Sequence, residues 1–153
     1  MKTIALVAHD NLKKDMVEWV KWNWKFLLNH QLVCTGTTGK LVQEALNERI
    51  DEKHLFKHEI IKLKSGPIGG DQQLGAMIAE SKIDVLVFFW DPMQPQPHDV
   101  DVKALLRIAV LYNIPTASNR ATADYLISSE LMQNNYSATV KNHSEYTDRN
   151  IIL

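Results

Sequence analysis

Apolar residues in this chain come in short unbroken runs, separated by stretches where apolar positions recur every three or four residues. The runs at 4–8, 32–34, 59–63, 85–90 and 116–117 read as strands. Residues 11–29, 38–48, 71–81, 101–112 and 120–128 carry the helical spacing. Strand followed by helix, five times over, predicts a single-domain, doubly wound α/β fold with a mainly parallel five-stranded sheet and helices on both faces. The run Val85-Leu86-Val87-Phe88-Phe89-Trp90 has no alternation, as expected of a central strand buried on both sides. One domain is expected over 1–153, with the pattern strongest over 4–127 and fading in 129–153. The first helix places Leu12, Met16, Trp19, Val20 and Leu27 on one face, and Trp22, Trp24, Phe26 and Leu28 widen it beyond an ordinary stripe. That helix is either sunk deep in the core, in keeping with the usual half-burial of indole rings, or packed in part against another subunit.

A length of 153 residues suits one compact domain with a real core. The net charge of -1 argues against a basic nucleic-acid surface. The single cysteine, Cys34, cannot form an intrachain disulfide, which fits a reducing compartment. The first apolar run is too short for a signal peptide and ends in His9-Asp10, and no uncharged apolar stretch approaches membrane-spanning length. The expectation is a cytoplasmic protein with neither nucleic acid nor membrane as a partner.

Open parallel sheets bind ligands outside the carboxyl ends of their strands, so the residues after each strand are a functional scan. Strand one is followed by His9, Asp10 and, one turn on, Lys13. Strand two is followed by Thr35-Gly36-Thr37-Thr38-Gly39-Lys40, which reads either as a phosphate cradle or as a turn capping a helix. It is not a Walker A loop, because the glycine spacing is wrong and Leu41 stands where Ser or Thr would bind magnesium. After strand three, Ser65-Gly66-Pro67-Ile68-Gly69-Gly70-Asp71 opens onto a helix. Glycine lets backbone amides approach an anion and the helix start adds free N–H groups. Asp71 there is either a first-turn helix acid or a base for a bound, phosphate-bearing substrate. After strand four come Asp91, prolines 92, 95 and 97, then His98, Asp99 and Asp101. The prolines stiffen the loop that carries His98. His9 and His98 are turn histidines or proton shuttles, and Asp10 and Asp101 also stand at helix starts. His98, Asp99 and Asp101 lack a second cluster with metal-ligand spacing.

These stretches, with Phe89-Trp90-Asp91-Pro92, the run from His98 to Arg107, Asn113-Ile114-Pro115 and Ala121-Thr122-Ala123-Asp124, resemble the methylglyoxal synthase family over residues 4–127. The resemblance implies a cytosolic homohexameric lyase that turns dihydroxyacetone phosphate into methylglyoxal and inorganic phosphate. It implies a bypass of glycolysis, no metal or coenzyme, and allosteric inhibition by phosphate. Carried over by position, Asp71 is the base, and His98 holds the substrate oxygens and moves protons, with Asp101 and Asp91 close by. Thr35, Gly36, Thr37, Thr38, Lys13, Ser65 and Gly66 hold the phosphate, and His9 and Asp10 line the substrate pocket. Arg149 is the candidate for an arginine that reaches a neighbouring subunit's site. Two other readings remain: an effector-binding regulatory domain of the same fold, as in carbamoyl phosphate synthetase, and a metal-dependent phosphatase.

Overall fold

The computed structural model describes residues 1–50 and 59–148. In chain order it contains β1 (Thr3–Ala8), α1 (Lys13–Trp22), α2 (Trp24–Leu27), β2 (Gln31–Thr35), α3 (Gly36–Asn47) and β3 (Ile61–Leu63). There follow α4 (Gly70–Ala79), β4 (Val85–Phe89), α5 (Asp99–Leu111), β5 (Thr116–Ala117), α6 (Arg120–Ser128), α7 (Glu130–Gln133) and α8 (Ser144–Thr147). All five expected strands form, in the order β3-β2-β1-β4-β5, and every pairing is parallel.

Side-chain alternation sorts the strands onto two cores. Ile4, Leu6, Leu32, Cys34, Val85, Val87 and Phe89 face Met16, Trp19, Val20, Val42 and Leu46 of α1 and α3. Ala5, Val7, Val33, Leu86 and Phe88 face Leu74, Ile78, Val102, Leu105 and Ala109 of α4 and α5. Both faces are therefore covered, which is why the central strands read as continuous apolar runs. The chain leaves β1 toward β2 and β3 and returns on its other side as β4. The carboxyl ends of β1 and β4 thus flank the topological switch point, where this architecture opens a crevice.

The helix expected over 11–29 is divided at Asn23. Its side-chain amide donates to the Trp19 carbonyl at 2.9 Å, ending α1 locally. The aromatic face is only partly sunk in the core. Trp19 is buried and its indole N–H donates to Asp124 at 2.9 Å, whereas Trp22 is 83% exposed. In the tail, the Lys2 ammonium donates to the Tyr136 carbonyl at 2.9 Å and ties the stretch after α7 to β1. Arg149 lies outside the described residues.

Candidate active site

The Gly-rich segment is folded tightly around Lys64. The amide of Gly36 donates to the Lys64 carbonyl at 3.1 Å, and the Lys64 amide donates to Gln73 Oε1 at 2.8 Å. A 3-10 turn (Gly66–Ile68) and Gly69 at φ 103° then swing the chain into α4. This junction sets Asp71 in the first helical turn with only 4% of its surface exposed. His98 immediately precedes α5 and is 7% exposed. Its Nε2 stands 3.6 Å from Asp71 Oδ2, in ion-pair range but too long for a hydrogen bond. Gly66 lies directly against both groups: a Cβ there would sit 2.7 Å from His98 Nε2 and 3.0 Å from Asp71 Oδ2.

His9, at the end of β1, completes the cluster, its ring centroid 5.9 Å from that of His98 in an edge-on arrangement. Its Nδ1 accepts the backbone N–H of Asp91 at 3.2 Å. Neutral His9 must then carry its proton on Nε2. Nε2 of His9, Oδ2 of Asp71 and Nδ1 of His98 are all buried without a hydrogen-bond partner. Three such atoms at one place mark a site built to be completed by a ligand.

The second half of the site is the start of α3. Thr35 enters it extended and gives no side-chain cap, so the helix presents backbone N–H groups and its positive end. Thr38 Oγ1 donates inward to the Ala8 carbonyl at 3.4 Å and anchors this turn to β1. The Lys13 ammonium bonds both Asp10 and the Thr37 hydroxyl. At Gly36, φ is 38° and a Cβ would lie 2.7 Å from Ser65 Cα, so the two glycine segments touch.

A cavity of about 290 Å³ joins the halves. It is lined by His9, Asp10, Lys13, Thr35, Gly36, Thr37, Thr38, Ser65, Gly66, Asp71 and His98, as the sequence scan anticipated, and also by Val7, Ala8, Pro67, Phe88 and Gln96. Asp91 and Asp101 do not line it. Asp91 fixes the proline loop, accepting from the Met93 amide at 2.9 Å and from Asn11 at 2.8 Å. Asp101 shares a separate depression between α4 and α5 with Asp71. Gln96 escaped the sequence scan although it stands two residues before His98. Among the described residues, no three His, Cys, Asp or Glu side chains are grouped to hold a metal ion.

Burial pushes the Asp71 carboxyl above the usual carboxylate range; His98 offsets part of this and the charge of Asp101 adds to it. His9 is pushed below its ordinary value by burial and by His98, which keeps it neutral near pH 7. Asp10 is lowered by Lys13, and Asp91 by the Met93 amide and Asn11. The Cys34 thiol, buried in the core, is pushed up to about 12 and is inert.

A carboxylate kept basic by burial, facing a helix start suited to an anion, defines an α/β enzyme of acid–base chemistry. The profile of the MGS-like domain matches residues 15–118. A methylglyoxal synthase from Maridesulfovibrio salexigens is 58% identical over 99% of this chain and 98% of its own. One from Coxiella burnetii is 46% identical over 97% of each. The crystal structure of methylglyoxal synthase from Elizabethkingia anophelis superposes with a TM-score of 0.85 at 49% identity, covering 99% of this chain and 93% of that one. The chain belongs to the methylglyoxal synthase family. It is an enzyme, a lyase, and not an effector-binding regulatory domain of the same fold. Among the described residues no helix is long and apolar enough to cross a membrane.

Proposed function

We propose that the chain converts dihydroxyacetone phosphate to methylglyoxal and inorganic phosphate, with Asp71 as the base. The observation that carries this reading is the convergence of three unpartnered buried atoms, on Asp71, His98 and His9, beside the α3 start. The phosphate sits at that start, held by the amides after Thr35, the Thr37 hydroxyl and Lys13, which exchanges part of its contact with Asp10 for the ligand. Ser65 and Gly66 close the cradle from the other glycine segment.

Asp71 takes a proton from the hydroxymethyl carbon, and charge develops on the carbonyl oxygen, where the Nε2–H of neutral His9 and the His98 ring donate. His98 then accepts the hydroxyl proton. The released electron pair moves through the enediolate, the carbon–oxygen bond to phosphate breaks, and the enolate of methylglyoxal remains. Of the two protons taken up, one goes to the leaving phosphate oxygen and the other to the terminal CH₂, giving hydrogen phosphate and the methyl group, so atoms and charge balance. Clamping the phosphate at α3 while the carbon skeleton lies against Asp71 sets the scissile bond out of the enediolate plane. The side chain of Asp101 acts through Asp71, and Asp91 acts through the loop and His9.

The same reading makes inorganic phosphate an inhibitor that can occupy the α3 start, the assembly a cytoplasmic homohexamer, and Arg149 the residue offered to a neighbouring subunit. Exposed Trp22, Val110 and Tyr125 are in keeping with subunit contacts. The test is incubation with dihydroxyacetone phosphate and assay of methylglyoxal and phosphate in equal amounts. Asp71→Asn should lower turnover about a hundredfold to ten-thousandfold while phosphate still binds. Near-normal turnover in that variant would remove Asp71 from the role of base.

A further inference from the structure

Asn11 lies outside the cavity, on the exposed 3-10 turn (Asp10–Leu12) that follows β1. Its one side-chain amide donates twice across the fold: to Asp91 Oδ2 at 2.8 Å and to Gln94 Oε1 at 2.8 Å. Both acceptors belong to the proline loop between β4 and α5. Asp91 is further fixed because its other oxygen takes the Met93 amide at 2.9 Å. The backbone N–H of the same Asp91 meets His9 Nδ1 at 3.2 Å. His9 is two residues from Asn11, so the chain closes a small ring: β1 end, His9, Asp91, Asn11, β1 end. Farther along, the clamped loop carries Gln96, which lines the cavity, and ends at His98.

We propose that Asn11 is a positioning residue for the active site, clamping the proline loop to the end of β1 so that Asp91's backbone amide holds His9 in the single tautomer whose Nε2–H faces the cavity. The logic is one of donors and acceptors. An imidazole with a free choice of tautomer spends part of its time with an acceptor lone pair turned toward a developing oxyanion, and that orientation repels it. A fixed N–H donor on Nδ1's side forbids this, because two N–H groups cannot face each other. Proline supplies stiffness within the loop; the end of β4 is already held to β1 by the His9 N–H on the Phe89 carbonyl at 3.1 Å, and the Asn11 amide extends that attachment past Asp91 to Gln94. Glutamine at 94 and aspartate at 91 match it, one neutral acceptor and one charged acceptor for its two hydrogens.

This inference rests on the catalytic reading only for the consequence in turnover, so its first readout is independent of activity. Nitrogen-15 NMR of the His9 imidazole, at a pH where the ring is neutral, reports which nitrogen carries the proton. The protein should show one tautomer, protonated on Nε2. In Asn11→Ala the two ring nitrogens should shift toward each other as tautomers mix. Thermal unfolding should change little, since the residue is exposed. Turnover should fall about tenfold or more, with a much smaller change in KM, because a displaced donor acts on the transition state rather than on phosphate binding. Asn11→Gln, which restores an amide on a longer stem, should recover the single tautomer and most of the turnover. An unaltered His9 spectrum in Asn11→Ala overturns the clamp, as does a Gln variant no better than Ala; a mixed tautomer with unaltered turnover overturns its role in positioning the donor for catalysis. If instead the unmodified protein makes no methylglyoxal, the catalytic reading fails while the tautomer result still decides the clamp.

Discussion

Burial turns Asp71 from an ordinary surface acid into a base of use at neutral pH. The carboxylate is taken out of water, which disfavours its charge, and Asp101 on the neighbouring helix adds like-charge repulsion. His98 and His9 pull the other way. The balance leaves the group raised, and a raised pKa gives a stronger base once the carboxyl is ionised. Asp101→Asn isolates one contribution. Removing that negative charge should lower the Asp71 pKa, so the acid limb of the kcat/KM profile should move to lower pH. The plateau should fall as well, because a weaker base abstracts the proton more slowly. A pH profile of substrate turnover checks this, and an acid limb moved upward or left in place would mean that Asp101 does not act through Asp71. The family resemblance implies that Asp91 and Asp101 stand close by His98. Helical geometry separates them: only His98, at the start of α5, reaches the cavity, and Asp101 lies one turn on, turned toward α4.

The site is assembled by junctions between elements rather than by elements themselves. Gly70 shows this best, because a Cβ there would run into the Lys64 carbonyl, which is itself held by Gly36. Backbone cannot yield as a flexible side chain can. Gly70→Ala should therefore destabilise the protein by more than about 2 kcal/mol and draw Asp71 away from His98. Chemical denaturation together with turnover checks the first part, and a stability unchanged by the methyl group would show that the two glycine segments are not locked together. Much of this scale was legible in the sequence. Strands declared themselves by β-branched and apolar runs, and helices 70–79, 99–111 and 120–128 were placed within two residues. The apolar spacing starts the second helix at 38, but Gly36 already belongs to the first turn of α3, since a glycine there tolerates the positive φ that the turn requires. The break at Asn23 stayed hidden because the apolar spacing runs on through it, whereas the Asn23 side-chain amide bonds the Trp19 carbonyl where α1 ends. Asn11 and Gln96 stayed hidden for a different reason: both matter through partners some eighty residues away or across the cavity, and no local pattern records such pairing.

Across the whole molecule, ligand binding and folding are linked, because the cavity exists only when β1, α3, α4 and the proline loop are all in place. A ligand that binds the folded chain alone stabilises it by mass action. Inorganic phosphate at a hundred times its dissociation constant should contribute about 2.7 kcal/mol. For a chain of this size that corresponds to a rise in Tm of roughly 5–10 °C. The rise should saturate with phosphate concentration and weaken with added salt, since Lys13 and the α3 dipole act on charge. Thr37→Ala removes an exposed hydroxyl that bonds Lys13, so it should leave the Tm without phosphate nearly unchanged and reduce the phosphate-dependent rise. Dihydroxyacetone phosphate carries the same anionic group, so its KM should rise in this variant in step with the weaker phosphate response. Asp71→Asn supplies the contrast, because it should lower turnover about a hundredfold or more while keeping the full rise. Thermal scans across a phosphate series on the three proteins separate the two halves of the site. If the rise survives Thr37→Ala and is lost in Asp71→Asn, the anion sits by the carboxylate rather than at α3, and the orientation of substrate in the cavity must be reversed.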